Sequence, residues 1–409
     1  MGPIAQSTIR TSLVLGLRLL IQAGTLLLVA RLLGPNDFGL FAGIAALAVL
    51  MGTFSTFGTH LVLLGEVSKD HTKCNHILRY AVPTTLIVGS LIFCLYIAIS
   101  FLLFNQLNPS LVLMICIGLT EIILLPLFGL STIEELALGK TAYSQLLIIF
   151  PLGLRTLAVI MVLLVHPAEP LIFFAWLYLI SALFVLGYRK FYKSNAWLKV
   201  SQWRLPNKQE LKNSAGYAVL ALTATGPGEL DKMLAVKLLP LGLSGVYVAA
   251  SRVIGAAALP IMALLLSAMP RLFRTHSELK LQSSRLNCWI IASALIYSFL
   301  VASLLWFFAP GVEWLFGSQY QGMTEILRWL CLVMPAFLLR ITLANILMTM
   351  NKLWFRAAIE SLGMLILIIS AIMLYAHLDL LAIVLALALS EWGMVGASLV
   401  CVFYKYLQG

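Results

Sequence analysis

Charged side chains are scarce in this sequence: they make up 11% of its 409 residues, whereas 61% of the residues are hydrophobic. Apolar runs of about 20 residues, the length a helix needs to cross the bilayer hydrocarbon, recur from one end to the other. These runs leave no room for a soluble domain. The alternation of apolar and polar residues typical of membrane barrels is missing, so helices must satisfy the backbone polar groups. The sequence therefore predicts an all-α polytopic membrane protein.

Motifs for metal, nucleotide and disulfide chemistry are missing as well. The six cysteines form no CxxC pair, and the six histidines show no metal-ligand spacing. Gly139-Lys140-Thr141 resembles the end of a P-loop, but Glu134 stands where that motif needs its first glycine. We therefore expect no metal and no cofactor. Because membrane polymerases and ligases tend to need a sizeable external domain, and the longest outer loop predicted here spans only about residues 310–324, we expect no enzymatic activity either.

Two similar turns occur in the chain, one in each half. The first lies in Ala-Arg-Leu-Leu-Gly-Pro-Asn-Asp-Phe-Gly-Leu-Phe, residues 30–41, where glycine and proline should end one apolar run and begin the next. A related stretch follows 206 positions later. Its aligned pairs include Arg31 with Lys237, Gly39 with Gly245 and Phe41 with Tyr247. This spacing indicates a duplicated unit of the kind common in transporter folds, with chance similarity between apolar segments as the alternative.

Twelve membrane spans are predicted, forming two six-helix bundles. Residues 1–190 are expected to form the first bundle, 191–213 a cytoplasmic interfacial linker that contains Trp197 and Trp203, and 214–409 the second bundle. The predicted spans are 11–33, 38–58, 79–103, 110–130, 143–165, 170–188, 215–239, 241–268, 287–309, 325–349, 355–376 and 380–404.

Lysine and arginine in the loops predict the orientation of these spans. With the N-terminus inside, nearly all loop cations fall on the cytoplasmic side, including seven between residues 189 and 212, while the opposite side holds only Arg31 and Lys237. Both termini are therefore predicted to be cytoplasmic. This bias, together with attraction to anionic membrane lipids, accounts for the net charge of +11 without nucleic acid.

Ionisable residues inside the spans are candidate site residues because each costs several kcal/mol in hydrocarbon unless it is paired or wetted. Three couples lie at similar depth and are expected to pair if their role is structural: Glu121 with Arg155, Asp231 with Arg252, and Arg340 with Glu360. Within the seventh span, Gly226-Pro227-Gly228 predicts a broken helix beside Glu229, Asp231 and Lys232, which favours a binding cavity over a packed kink.

Arg18 is the strongest single candidate for holding an anion. The next span, 38–58, contains no charged residue, so the obvious partner is absent. Counted from Thr11, Arg18 lies roughly 10 Å along its helix from the cytoplasmic end. The guanidinium could hold a phosphate with two parallel hydrogen bonds, or it could snorkel to the interface.

The first turn resembles the one after the first helix of Wzx-type polysaccharide (O-antigen) flippases, which belong to the MOP superfamily with the MATE exporters and MurJ. Leu230-Asp231-Lys232 with Gly245-Val246-Tyr247 resembles the matching element of that family's second half, and Leu136 to Lys140 resembles its fourth loop. The second turn departs from the family pattern by reading Leu-Pro-Leu-Gly where members often keep a leading glycine.

The resemblance implies a MATE-like transporter of the bacterial inner membrane that flips undecaprenyl-diphosphate-linked oligosaccharide in lipopolysaccharide assembly. Its implied partners are this glycan lipid, membrane lipids and other polysaccharide assembly proteins, with alternating access driven by an ion gradient. A MATE-like exporter of small molecules, a MurJ-like flippase and a membrane polymerase or ligase are the alternatives. The candidate substrate-binding residues are Arg18, Arg155, Lys232, Arg252 and Arg340, and the candidate ion-coupling residues are Asp231, Glu121 and Glu391.

Overall fold

Helices account for nearly all of the structure, a computed structural model that describes residues 3–192, 200–262, 265, 280–350 and 352–407. No strand occurs in these ranges, and nine of their helices are long and apolar enough to cross a membrane. Two of the nine each contain two predicted spans joined at a kink, and the seventh predicted span lies in a further, more polar helix. The prediction of an all-α polytopic membrane protein with about twelve spans in two bundles is confirmed.

The first of two compact units comprises Met1–Leu33 and Leu40–Thr225. Helices α5, α6 and α7 share one apolar core that includes Phe128, Leu147 and Val185. The helices of this unit are α1 (Pro3–Gly52, except for its residues Gly34–Gly39), α2 (Thr59–Val67), α3 (Cys74–Phe104), α4 (Leu111–Gly118), α5 (Leu125–Ala137), α6 (Thr141–Val165) and α7 (Pro170–Tyr192).

Glycine and proline divide α1 where the sequence predicts. Gly34 has φ 69° and ψ 171°, a backbone conformation outside the helical region, and Pro35 then opens the next helical stretch. The break itself is confirmed, but the loop predicted through residue 37 is wrong because Pro35 to Asp37 are already helical. Proline fits the first helical turn, where its missing N–H is not needed. The predicted span 38–58 also ends earlier, at Gly52.

Helix α2 lies in a stretch predicted to be a polar loop. It buries Thr59, Leu63 and Val67, which recur every four residues and therefore share one face. Leu63 joins a core that includes Leu78 of α3 and Leu130 of α5. This short amphipathic helix was missed because nine residues are too few to cross a bilayer.

A π-helical turn, Leu119–Leu124, joins α4 to α5 without a break. It accommodates Pro126, which lies at the start of α5 and cannot donate a helical hydrogen bond. Turns of this type are rare in proteins, and those that do occur often lie at functional sites. The turn places Glu121 against Gly52 of α1, where any side chain would overlap the Glu121 carbonyl oxygen.

The linker is described from residue 200 onwards, so the prediction for Trp197 lies outside the described residues. Arg204 anchors the described part of the linker to the rest of the first unit. Its backbone N–H donates to the Arg79 carbonyl oxygen at 3.0 Å, and its guanidinium donates to Glu210 at 2.8 Å and lies 4.8 Å from the Tyr80 ring centroid. The hydrogen bonds from the Arg204 guanidinium hold the pKa of Glu210 below its ordinary value.

The second compact unit comprises Gly34–Gly39 and Gly226–Gly409. Helix α11 is its most buried helix, with 78% of its apolar stretch buried, and it packs against α9, α10 and α12. Asp379, with φ 44°, divides α12 between the two spans predicted there. The helices of this unit are α8 (Lys208–Leu238, which begins in the first unit), α9 (Leu241–Ala257), α10 (Lys280–Phe316), α11 (Met323–Thr349) and α12 (Leu353–Leu407).

Two predicted irregular segments of this unit are helical. Helix α8 runs unbroken through Gly226-Pro227-Gly228, so the predicted break is wrong. A single proline removes one helical hydrogen bond, which the rest of a 31-residue helix tolerates here. Gly226 lies against the Met364 sulfur, so close packing accounts for this glycine. The outer loop predicted at 310–324 is also mostly helix, because α10 continues to Phe316.

The two repeated turns contact each other reciprocally within the second unit. A Cβ built on Gly39 would lie 2.8 Å from the Leu241 carbonyl oxygen, and one built on Gly245 would overlap the Pro35 carbonyl oxygen. Leu241 lies 206 positions after Pro35, and Gly245 lies 206 after Gly39. Each contact is thus the repeat-related copy of the other, as in an isologous interface. This reciprocity supports the predicted duplication.

Candidate functional site

Glu121, Arg155 and Tyr178 form a cluster in the first unit. Arg155 Nη2 donates to Glu121 Oε1 at 3.1 Å, and the Tyr178 hydroxyl donates to the same oxygen. The Arg155 guanidinium also lies 4.2 Å from the Tyr178 ring centroid. The predicted pairing of Glu121 with Arg155 is confirmed. The π-helical turn contributes Glu121 to this cluster, α6 contributes Arg155 and α7 contributes Tyr178.

Arg18 lies on the contact between α1 and α6. Its Nη1 donates to the side-chain oxygen of Gln145 at 3.0 Å, and its buried Nε finds no acceptor in the part of the chain that the structure describes. About two turns further along α1 and three turns further along α6, the hydroxyl groups of Thr25 and Thr156 lie 2.6 Å apart. Arg18 is therefore held by a neutral amide.

In the second unit, α8 presents two acidic residues to α9. Arg252 donates to both carboxylate oxygens of Glu229, at 3.3 and 3.1 Å. Asp231 instead accepts hydrogen bonds from Tyr247 and Ser251, each at 3.1 Å, and lies 3.4 Å from Lys232. Lys232 also donates to a carbonyl oxygen of its own helix, that of Gly228.

The predicted pairing of Asp231 with Arg252 is therefore wrong. Glu229 and Asp231 are two positions apart on one helix, so their side chains leave it in different directions and reach different residues of α9. Asp231 faces Tyr247 and Ser251, which are four residues apart on α9 and share a face. Glu229, at nearly the same depth, is left to meet Arg252.

Arg340 of α11 and Glu391 of α12 form a pair that is more deeply buried than that of Arg252 with Glu229. Arg340 Nε lies 2.6 Å from Glu391 Oε2, and the two side chains are 5% and 1% exposed. The predicted partner of Arg340, Glu360, pairs instead with Arg356 at 3.1 Å, so that prediction is wrong. Arg356 lies one helical turn from Glu360, and an i,i+4 contact needs no tertiary alignment.

Most of the ionisable residues singled out in the spans are thus compensated among the described residues. The five acidic residues singled out in the spans, Glu121, Glu229, Asp231, Glu360 and Glu391, each have a basic partner. Among the five candidate substrate-binding cations, Arg18 alone has no carboxylate within bonding distance among the described residues. Arg18 is therefore the candidate cation whose charge the described residues leave uncompensated.

Sequence reasoning missed the neutral members of these clusters. Gln145, Tyr178, Tyr247 and Ser251 carry no charge, and a search for ionisable residues passes over them. Polar side chains within membrane helices commonly hydrogen-bond across helices. Uncharged polar residues that lie at the same predicted membrane depth as a charged residue are candidate partners for it, and this criterion would have identified Gln145.

A family described as "Polysaccharide biosynthesis protein" matches residues 4–204 of this chain. Comparison with curated proteins finds no significant match. Solved structures match over nearly the whole length. An outward-facing MATE multidrug resistance transporter of the MOP superfamily is 14% identical with a TM-score of 0.68, and the alignment covers 98% of this chain and 95% of the other.

Two further structures give the same result. The inward-facing form of a MATE multidrug resistance transporter is 15% identical with a TM-score of 0.67, covering 96% of this chain and 94% of the other. A MOP superfamily transporter from Pyrococcus furiosus, described as having a binding pocket of reversed polarity, is 14% identical with a TM-score of 0.65, covering 98% and 95%. Together these matches show that the chain has the fold of the MATE transporters and that its residues 4–204 are similar to polysaccharide biosynthesis proteins.

Proposed function

We propose that this protein flips undecaprenyl-diphosphate-linked oligosaccharide from the cytoplasmic to the periplasmic leaflet of a bacterial inner membrane, as in O-antigen and lipopolysaccharide assembly. Both termini are proposed to face the cytoplasm, and other polysaccharide assembly proteins are proposed partners. The similarity to polysaccharide biosynthesis proteins and the MATE fold support this proposal. The observation that carries it is the pairing of Arg18 with an amide instead of a carboxylate.

The chemistry of such a substrate matches this feature. Sugar hydroxyls each cost several kcal/mol if they enter hydrocarbon bare, so a wet path across the membrane is needed. The diphosphate brings negative charge, which an uncompensated arginine binds with strong, charge-assisted hydrogen bonds. A cation paired with a carboxylate has less to offer an anion, because the pair must first be broken. Arg18 is therefore proposed as the first diphosphate contact.

The proposed coupling group is Glu121, with Asp231 and Glu391 as further candidates. Glu121 Oε1 receives hydrogen bonds from both Arg155 and Tyr178. Protonation of this carboxylate would remove the charge that holds Arg155 and would free its guanidinium for substrate. Transport in this scheme follows an ion gradient and alternates access between the two sides of the membrane.

The decisive experiment removes the gene and identifies the lipid-linked glycan that accumulates. Accumulation of an undecaprenyl-diphosphate oligosaccharide on the cytoplasmic side is the expected result. Purified protein in liposomes without ATP should flip that lipid in response to an imposed ion gradient. Unchanged glycan display after deletion, together with export of small organic cations, would instead favour the MATE-like alternative.

A further inference from the structure

We propose that Gln145 sets the charge selectivity of the first unit, because it holds the Arg18 guanidinium in place without cancelling its charge and so lets a prenyl diphosphate bind there. The inference rests on the proposed function and names the residue that makes its site anion-selective. Gln145 acts as a positioning residue for Arg18, and its amide NH2 group can in addition donate to the bound phosphate.

The orientation of the amide follows from the chemistry of its partner. Arginine has only hydrogen-bond donors, so the atom facing Arg18 Nη1 must be the amide oxygen, 3.0 Å away. The amide NH2 group then points away from the guanidinium, and no described residue accepts a hydrogen bond from it. Gln145 is 7% exposed, so packing limits its movement. The amide therefore has donors left for a phosphate oxygen beside Arg18.

Arg18 also has unused donors. Of its guanidinium nitrogens, Nη1 donates to Gln145, and the buried Nε–H has no acceptor within the described ranges. An unsatisfied buried donor is unfavourable, so the side chain gains from any acceptor that a conformational change brings within reach. The oxygens of a diphosphate are strong acceptors, and a guanidinium can bind two of them in parallel.

The rest of the molecule shows what a carboxylate would do at this position. Glu121 neutralises Arg155 in the same unit, and Glu391 neutralises Arg340 in the second. Glutamate has nearly the shape of glutamine, so Gln145→Glu would place a carboxylate oxygen where the amide oxygen now accepts from Arg18. The result would be one more internal pair, and Arg18 would lose its excess charge.

The neighbouring contact on the same two helices provides a matched control. The Thr25 and Thr156 hydroxyl groups lie 2.6 Å apart, and each also lies within hydrogen-bond distance of a carbonyl oxygen of its own helix, that of Ile21 at 2.7 Å and that of Leu152 at 3.1 Å. Thr156→Val removes this interhelical hydrogen bond and leaves the charge at Arg18 untouched. It therefore measures what loss of helix contact does by itself.

The test measures binding of farnesyl diphosphate and of uncharged farnesol to the full-length protein in zwitterionic lipid nanodiscs by calorimetry. Wild type should bind the diphosphate at least about tenfold more tightly than farnesol. Gln145→Glu should weaken diphosphate binding by about 10- to 100-fold, as expected for loss of a charge-assisted contact. Gln145→Met, which is neutral and similar in size, should weaken it by less than about tenfold, and Thr156→Val by less than about twofold.

A pH series separates charge from packing. Lowering the pH protonates the introduced carboxylate, so the ratio of wild-type to Gln145→Glu affinity should shrink toward one. Thermal unfolding of each variant identifies any that is misfolded. Equal losses in Gln145→Glu and Gln145→Met, or a ratio that does not change with pH, would overturn the inference, as would wild type binding farnesol as tightly as the diphosphate.

Failure of the inference and failure of the proposed function give different results. If deletion of the gene leaves glycan display unchanged but Gln145→Glu still loses diphosphate binding, the proposed glycan flipping is wrong and the charge selectivity of this site stands. If the protein flips the glycan lipid and Gln145→Glu binds farnesyl diphosphate like wild type, the function stands and the role of Gln145 is refuted.

Discussion

The buried pair of Arg340 and Glu391 should be a structural contact, and a double-mutant cycle can test this. The two side chains are 5% and 1% exposed, and their closest atoms are 2.6 Å apart. Removing one member leaves the other charged and buried, which typically costs about 3–5 kcal/mol. Arg340→Met and Glu391→Leu should each destabilise the protein by this amount.

The double variant should regain most of that loss. Glu391 Oε1 has no hydrogen-bond partner among the described residues, so the pair does not fully repay its desolvation. Replacing both members with apolar side chains of similar size is therefore expected to be close to neutral. At about 2–4 °C per kcal/mol for a unit of this size, each single variant should lower the Tm by about 6–20 °C, and the double variant by only a few degrees.

Thermal unfolding in a fixed detergent gives the stabilities, and glycan export in cells gives the function. A structural pair predicts that stability and export are both lost in the single variants and both recovered in the double variant. A double variant as unstable as the singles would refute the argument from desolvation. Recovered stability without recovered export would make Arg340 a substrate ligand, the role that the sequence suggested.

Four further outcomes are expected. Arg18→Glu should abolish export at normal protein levels. Arg18→Lys should keep the charge but export less, because lysine lacks the bidentate fork of arginine. Normal glycan display from Arg18→Glu would exclude this residue from the site. Glu121→Gln should uncouple flipping in liposomes from the ion gradient while substrate still binds. Gly245→Ala should lower the Tm through a backbone overlap worth about 1–3 kcal/mol, while Gly255→Ala on the same helix, with open space around it, should not. A reporter fused after Gln202 should be cytoplasmic, and a periplasmic signal would contradict the six-plus-six topology.

The sequence by itself determined the class of the protein and most of its helices. Apolar runs long enough to cross a bilayer form helices because hydrocarbon offers no other partner for the backbone. The breaks in α1 at Gly34 and in α12 at Asp379 fall between predicted spans, since glycine and short polar residues adopt non-helical backbone angles most readily. These are local properties, which neighbouring residues suffice to specify.

Tertiary structure decided which charges meet. Residue number gives the depth of a side chain along its helix, and depth alone paired Glu121 with Arg155 correctly. It failed for Arg340, whose partner is Glu391, because depth says nothing about the direction in which a side chain points around the helix axis. It also could not reveal that Arg18 rests on Gln145, since a neutral amide leaves no mark in a search for charges. Rotation of each helix about its axis is set by the packing of whole faces against neighbours, and that free energy is distributed over many residues far apart in the chain.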